Sequence, residues 1–161
     1  MSSTPLSSYF SHDFKVYYED TDSGGIVYYA NYLKFAERGR TEALRELNIS
    51  QADLAKKDGI FFIVKSCNIN FIKPARLDDT LIVKTLFKKV QQTSALVVQT
   101  ILSQGVMLAE LEVVIVAVKK SDESLTLSPV RIPLDIAQKL RANRPAPKPL
   151  VSHGSVMADK Y

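Results

Sequence analysis

Apolar and polar residues alternate with a period of two from Asp13 to Glu19, with Phe14, Val16 and Tyr18 on one side, and this predicts a strand. From about Asn31 to Asn48 the period becomes helical. Tyr32, Ala36, Gly39, Ala43 and Leu47 share one face, and Leu33, Phe35 and Leu44 widen it, as in a helix largely surrounded by protein. Asn31 is the expected N-cap. Gly39 costs roughly 1 kcal/mol against alanine in mid-helix, and its return is the close approach of a strand or partner helix. Ser50 to Asp53 reads as a capping box opening a short helix that Gly59 ends. Ile60 to Lys73 is strand-like throughout and would reach roughly 46 Å if flat, so it must bend, break or wrap.

Pro74 to Asp79 is a turn, and three further strands follow over about Thr80–Val90, Ser94–Ser103 and Met107–Lys119. Their short connections make antiparallel hairpins. Val113 to Val118 is apolar at every position, which predicts burial on both faces of the strand. In a one-sheet protein that requires the helix on one side and another subunit on the other, hence a homo-oligomer. Pro133 opens a last short helix to about Arg141. One long helix against a five-stranded antiparallel sheet is an α+β layout. The expected organisation is a flexible arm over residues 1–12, a single domain over 13–143 and a basic, Pro-rich mobile tail over 144–161.

Composition narrows the function. At 161 residues the chain has room for one domain with a substantial core. The net charge of +4 is accounted for by residues from Lys139 onward, so the fold itself carries no basic stripe and nucleic acid is not the expected partner. A single cysteine, Cys67, excludes an internal disulfide framework and is expected in the core. The sequence shows no signal peptide and no long apolar run, so the cytoplasm is the expected compartment, with peripheral attachment at the inner membrane as a role for the basic tail. His12 and His153 both lie near the chain ends, outside the predicted elements. Acid–base or nucleophilic work therefore falls to Asp, Glu or Tyr, and neither metal nor cofactor is expected.

The chemistry concentrates in one stretch. Tyr17 to Tyr32 holds three acids, two adjacent glycines and five tyrosines. A strand runs into an acidic turn and directly into a helix, whose free N–H groups and dipole can act on a bound carbonyl. Asp22 is the last acid before that helix and the candidate for bringing or replacing water, as general base or as nucleophile. Gly24 and Gly25 permit positive φ and close approach of the backbone to a ligand. Asp20 and Glu19 are near rivals, expected as solvated turn residues. Glu37 and Arg40, three apart, can pair on the helix.

The run Asp20-Thr21-Asp22-x-x-Gly25-x-Val27-Tyr28-x-x-x-Tyr32, followed by Glu37 and Arg40 and later by Pro74-Ala75-Arg76-Leu77-Asp78-Asp79, resembles the hot-dog acyl-CoA thioesterases of the 4-hydroxybenzoyl-CoA type. The closest resemblance is to the bacterial branch associated with the Tol–Pal system, and it extends from about Phe14 to about Val118. It implies a curled sheet wrapped around one long central helix. It also implies hydrolysis of short- to medium-chain acyl thioesters of coenzyme A or acyl carrier protein, by a homotetramer or smaller homo-oligomer with no cofactor beyond the coenzyme A of the substrate. In that family Asp22 aligns with the catalytic aspartate, and the backbone N–H at Tyr29 polarises the thioester carbonyl. The Tol–Pal branch usually has histidine at Tyr29, whereas the prototypes have tyrosine. Thr93 and Ser94 fall at the hairpin where family members contact the nucleotide, and Gln91 and Gln92 replace arginines of the prototypes.

Lys65 and Arg76 are further candidates for the coenzyme A phosphates. Gly25 and Tyr28 are expected against the substrate, with Phe61, Phe62 and Tyr28 walling an acyl slot at a subunit interface. Another branch of the family places its catalytic carboxylate on this helix, which keeps Glu37 in view. The alternative function is a non-catalytic acyl-CoA-binding or envelope-machinery interaction protein of the same fold.

Overall fold

The computed structural model describes residues 9–142. In chain order it holds β1 (Phe10–Lys15), a 3-10 turn (Tyr18–Asp20), α1 (Asn31–Glu46), α2 (Gln51–Asp58), β2 (Ile60–Phe71), β3 (Thr80–Val90), β4 (Ser94–Ser103), β5 (Val106–Lys120), β6 (Leu127–Pro129) and α3 (Leu134–Ala142). The strands form one antiparallel sheet in the order β1-β3-β4-β5-β2, and β6 pairs with the end of β5. This is the expected α+β layout, with β6 as a sixth short strand that periodicity does not reveal. The tail over 144–161 lies outside the described residues.

Strict alternation puts one face of the sheet against the helices. Leu81, Val83 and Phe87 of β3, Ala95, Val97 and Ile101 of β4, and Leu111, Val113 and Ile115 of β5 are buried against Phe35, Ala36 and Leu44 of α1. Tyr32, Ala36, Gly39, Ala43 and Leu47 all point inward as their spacing predicts, whereas Leu33 is exposed. At Gly39 a side chain would meet Val83 Cγ1 at 2.5 Å, so β3 crosses the helix where only hydrogen fits. Ser50 Oγ accepts the Asp53 N–H at 3.1 Å, and Gly59 ends α2 with φ +63°. β2 solves its length problem with a bulge at Lys65, between the Val64–Ile115 and Ser66–Val114 pairs.

Several expectations change. β1 begins at Phe10, which is fully buried, and ends at Lys15, before the expected strand does. There the Val16 N–H turns to the Asp79 carbonyl, the chain coils into the 3-10 turn, and Tyr18 points to solvent. His12 therefore lies inside a strand, and its Nε2 contacts Glu46 Oε1 at 2.6 Å. Glu46 ends α1, roughly 22 Å from its start, so the imidazole remains remote from the acidic turn. Cys67 is exposed rather than buried, because β2 is an edge strand. Val116 and Val118 are already buried within the chain, where β6 lies along β5, so this apolar run does not by itself demand a second subunit.

Candidate active site

The turn from Thr21 to Val27 is closed by its own backbone. The Asp22 N–H donates to the Ile26 carbonyl at 2.9 Å, the Gly25 N–H donates to the Asp22 carbonyl at 3.1 Å, and Thr21 bridges Val27. Gly25 takes φ +75°, a left-handed geometry that glycine adopts without strain. The turn is tied to the segment after β2: Val27 N–H donates to the Ala75 carbonyl at 2.8 Å, Leu77 N–H to the Gly25 carbonyl at 3.3 Å, and Ile26 bridges Arg76. Arg76 is thus fixed beside Gly25 and Ile26, with its side chain exposed.

Asp22 sits at the exposed tip. Its Oδ1 accepts the Gly24 N–H at 2.8 Å, which orients the carboxylate, and its Oδ2 has no hydrogen-bond partner among the described residues. One oxygen is positioned by the backbone while the other stays available to water or an acyl carbon. A side chain at Gly24 would come within 3.1 Å of Asp22 Oδ1, so this glycine keeps that oxygen accessible.

Asp20 does different work. It is buried, its Oδ2 accepts the Tyr17 N–H at 2.8 Å, and its carbonyl accepts both the Tyr28 N–H at 2.9 Å and the Asn31 side-chain amide at 2.8 Å. Its expectation as a solvated residue is therefore corrected: it is the internal brace of the loop. Asn31 is not the N-cap either. Ala30 occupies that position without a side-chain cap, and Asn31 is the first helical residue, its amide turned back into the turn. A buried amide must find partners, and only the folded loop supplies the Asp20 carbonyl.

The absent cap has a consequence. The Tyr29 and Ala30 N–H groups have no partner among the described residues, and they stand where the positive end of the α1 dipole emerges. Asp22 and these donors belong to one short, backbone-locked segment, the arrangement that attack on an acyl carbonyl requires.

Two aromatic side chains flank it. The Tyr28 and Tyr29 rings lie 4.8 Å apart, and hydrogen bonding to Tyr29 pushes the Tyr28 hydroxyl above its usual pKa of 10.0. The Tyr28 phenol therefore keeps its proton near neutrality. Tyr29 packs edge-on to Phe71 at 6.5 Å, and the Tyr32 ring meets Phe71 at 5.3 Å.

Asp22, Gly25, Tyr28, Tyr29 and Arg76 are therefore brought together. Lys65, Thr93 and Ser94 are not. Phe71 lies opposite Ala109 while Ser94 lies opposite Val116, a separation of roughly 23 Å along β5. Lys65, at the bulge, is level with Ser94 across β5. Phe61, Val64 and Phe71 of the open edge strand are all about half exposed. A cavity of about 550 Å³ bounded by Thr41, Arg45 and Gln51 lies at the opposite end of α1 from Asp22. Among the described residues no cluster of three or more His, Cys, Asp or Glu could hold a metal ion, and no helix is long and apolar enough to cross a membrane.

The sequence profile of the thioesterase superfamily matches residues 24–110, more than half of the chain. With the hot-dog arrangement of sheet and central helix, this places the protein in the thioesterase superfamily as a member of its hot-dog enzymes. The chain is 38% identical over 131 residues to the acyl-CoA thioesterase YbgC of Haemophilus influenzae, covering 81% of this chain and 93% of that protein. It is also 38% identical over 128 residues to the acyl-CoA thioester hydrolase YbgC of Escherichia coli O6:H1, covering 79% and 92%. Among solved structures, a probable thioesterase from Bartonella henselae matches with a TM-score of 0.67 at 34% identity, over 78% of this chain and 98% of that one. The 4-hydroxybenzoyl CoA thioesterase complexed with 4-hydroxybenzoyl CoA shares the fold, with a TM-score of 0.77 at 18% identity, over 83% and 99%.

Proposed function

We propose that this protein hydrolyses the thioester of short- to medium-chain acyl-CoA, with Asp22 as its catalytic carboxylate and the Tyr29 N–H as the donor to the carbonyl oxygen. The observation that carries this reading is the pairing of a backbone-oriented, half-free carboxylate with an uncapped helix N-terminus on the same turn. The activity named for the YbgC relatives supports the same substrate class. As a base, Asp22 takes a proton from water while the water oxygen bonds to the acyl carbon. The tetrahedral oxyanion rests on the Tyr29 N–H, and its collapse breaks the C–S bond, with the proton passing to the departing thiolate. As a nucleophile, Asp22 bonds the acyl carbon directly, expels the thiolate and leaves an anhydride that water opens. Both routes use the same two groups.

The coenzyme A portion requires a second chain. Arg76 stands beside the acidic turn, whereas Lys65, Thr93 and Ser94 lie at the far end of the sheet. A homo-oligomer that pairs subunits along the open β2 edge supplies these three residues from the neighbouring copy. It also covers Phe61 and walls an acyl slot with it, Phe62 and Tyr28. Acyl carrier protein thioesters are a second substrate form for the same slot, and a cytoplasmic location fits both.

The test is hydrolysis of an acyl-CoA chain-length panel plus 4-hydroxybenzoyl-CoA by wild type and Asp22→Asn, followed by thiol release. The expected result is turnover by wild type and a loss of roughly a hundredfold or more in the folded variant. Near-full activity in the variant would move the role to Glu37. Tight binding without turnover in either protein would identify a non-catalytic acyl-CoA-binding protein.

A further inference from the structure

α1 and the edge strand β2 face each other from the candidate site at one end to the Arg40 guanidinium at the other. At one end Tyr29 and Tyr32 meet Phe71. Phe71, Ile69, Cys67 and Val64 pair with Ala109, Leu111, Val113 and Ile115, all on the buried face of β5, so these four β2 positions turn toward the helix side of the sheet. At the other end lies a cavity of about 100 Å³, whose apolar wall includes Leu44, Phe62 and Val64 and whose polar wall is Glu37, Arg40 and Thr41.

Arg40 is held there by a neutral group. Its Nη1 donates to Gln99 Oε1 at 2.9 Å, and Gln99 is fully buried. The Gln99 amide is fixed in turn, because its Nε2 donates to the Ala36 carbonyl and to Thr85 Oγ1, each at 2.9 Å. Only the Gln99 carbonyl oxygen is left to face the guanidinium. The nearest carboxylate on the helix is committed elsewhere: Glu37 Oε1 accepts from Thr41 Oγ1 at 2.8 Å, and Arg40 forms no ion pair with any carboxylate among the described residues. Burial pushes the Arg40 guanidinium below its usual pKa, against the opposing pull of Glu37 and Cys67. A partly desolvated guanidinium satisfied by one neutral oxygen is costly, and its remaining N–H donors form a fork that fits a carboxylate in two bonds.

We propose that Arg40 is a specificity residue that receives a carboxylate at the far end of the acyl chain, so that ω-carboxyacyl (dicarboxylic) thioesters are the favoured substrates. This rests on the thioesterase reading and extends it. Tyr29 and Arg40 are separated by roughly 16 Å along the helix axis, and the arginine side chain leans back by about one turn, or 5 Å. The remaining span suits a medium-length chain with its carbonyl at the Tyr29 N–H and its terminal carboxylate at the guanidinium. Phe71, Cys67 and Val64 would line the methylene segment. Glu37, at the rim, opposes the incoming charge and sets an upper limit on the preference.

The experiment compares kcat/KM for adipyl-, suberyl- and sebacyl-CoA with hexanoyl-, octanoyl- and decanoyl-CoA, in wild type and Arg40→Gln. Wild type is expected to favour the carboxylated member at one of these lengths by about tenfold to a hundredfold, the range for hydrogen bonds to a charged group. Arg40→Gln should reduce that ratio at least tenfold, and Glu37→Gln should raise it. An arginine that merely braces Gln99 lowers both substrates together and leaves the ratio unchanged, which overturns the proposal, as does a wild-type preference for the plain alkyl chains. The wild-type ratio alone decides the matter if Arg40→Gln fails to fold. If no thioester is hydrolysed at all, the thioesterase reading fails by itself. Calorimetry then compares binding of suberyl-CoA and octanoyl-CoA to the same two proteins, and equal affinities reject the role of Arg40.

Discussion

The Tyr32 hydroxyl accepts the Ala75 N–H at 2.9 Å, and the Ala75 carbonyl accepts the Val27 N–H at 2.8 Å. One phenol thus anchors the segment that anchors the acidic turn. Burial raises the Tyr32 pKa above its ordinary 10.0, with the Ala75 bond acting in the opposite direction. For a group whose folded pKa is raised, the folded state holds its proton while the unfolded chain loses it, so stability is full below pH 10 and falls above it. Tyr32→Phe leaves a buried N–H without its acceptor and should cost about 1–3 kcal/mol at neutral pH. In denaturant titrations its loss of stability above pH 10 should be shallower than that of wild type, and an identical alkaline slope would assign no linkage to this phenol. At the same scale, Asp20 and Asp22 carry the same functional group, yet one braces the loop from inside and the other faces solvent. Residue type alone does not separate them; the direction of the chain through the 3-10 turn does.

Among the elements, α1 has the periodicity most strongly tied to its position. Its buried stripe matches the spacing of Tyr32, Ala36, Gly39, Ala43 and Leu47, because a helix with one apolar face has one stable way to lie on a sheet. Gly39→Ala adds a methyl 2.5 Å from Val83 Cγ1. The gain of about 1 kcal/mol in helix propensity is outweighed by an overpacking cost of about 1–3 kcal/mol. The expected outcome is a lower Tm, together with reduced thioesterase activity if the Tyr29 N–H, just ahead of α1, is the proposed carbonyl donor; an unchanged or higher Tm would show that β3 can retreat. The N-terminus of α1 reads less well. A good capping residue stands at Asn31, but its amide is drawn to the Asp20 carbonyl, and the helix starts without a side-chain cap. An unpaired N–H retained at a helix start is what a carbonyl-binding site requires.

For the molecule as a whole, the separation of Asp22 from Lys65, Thr93 and Ser94 defines a prediction that no single-chain mechanism shares. If each site draws Asp22 from one subunit and these residues from another, the Asp22→Asn protein and a Lys65→Ala/Ser94→Ala protein should each be weak alone. Mixed and refolded together in equal amounts, they should recover about a quarter of wild-type activity, since half the dimers are mixed and each holds one intact site. Additive activity without recovery would confine each site to one chain. The open β2 edge, with Phe61, Val64 and Phe71 about half exposed, is the surface on which such pairing would act.

The sequence by itself determined the elements whose signals are local. These are the helical stripe of α1, the Ser50 and Gly59 boundaries of α2, the hairpins around β4, and Asp22 as the last acid before a helix. Each depends on residues a few positions apart, so periodicity and turn chemistry suffice to read them. The tertiary structure decided what depends on distant partners. Val16 leaves β1 because Asp79 offers a carbonyl, and Asn31 abandons its cap because Asp20 lies eleven residues back across the turn. Cys67 is exposed because the strand order leaves β2 at an edge, and β6 covers the end of β5 from beyond a loop. Arg40 is set apart from Glu37 by Gln99, 59 residues away on β4. Hydrogen-bond partners so far apart leave no periodic trace along the chain, and only the packed sheet and helix bring them within reach.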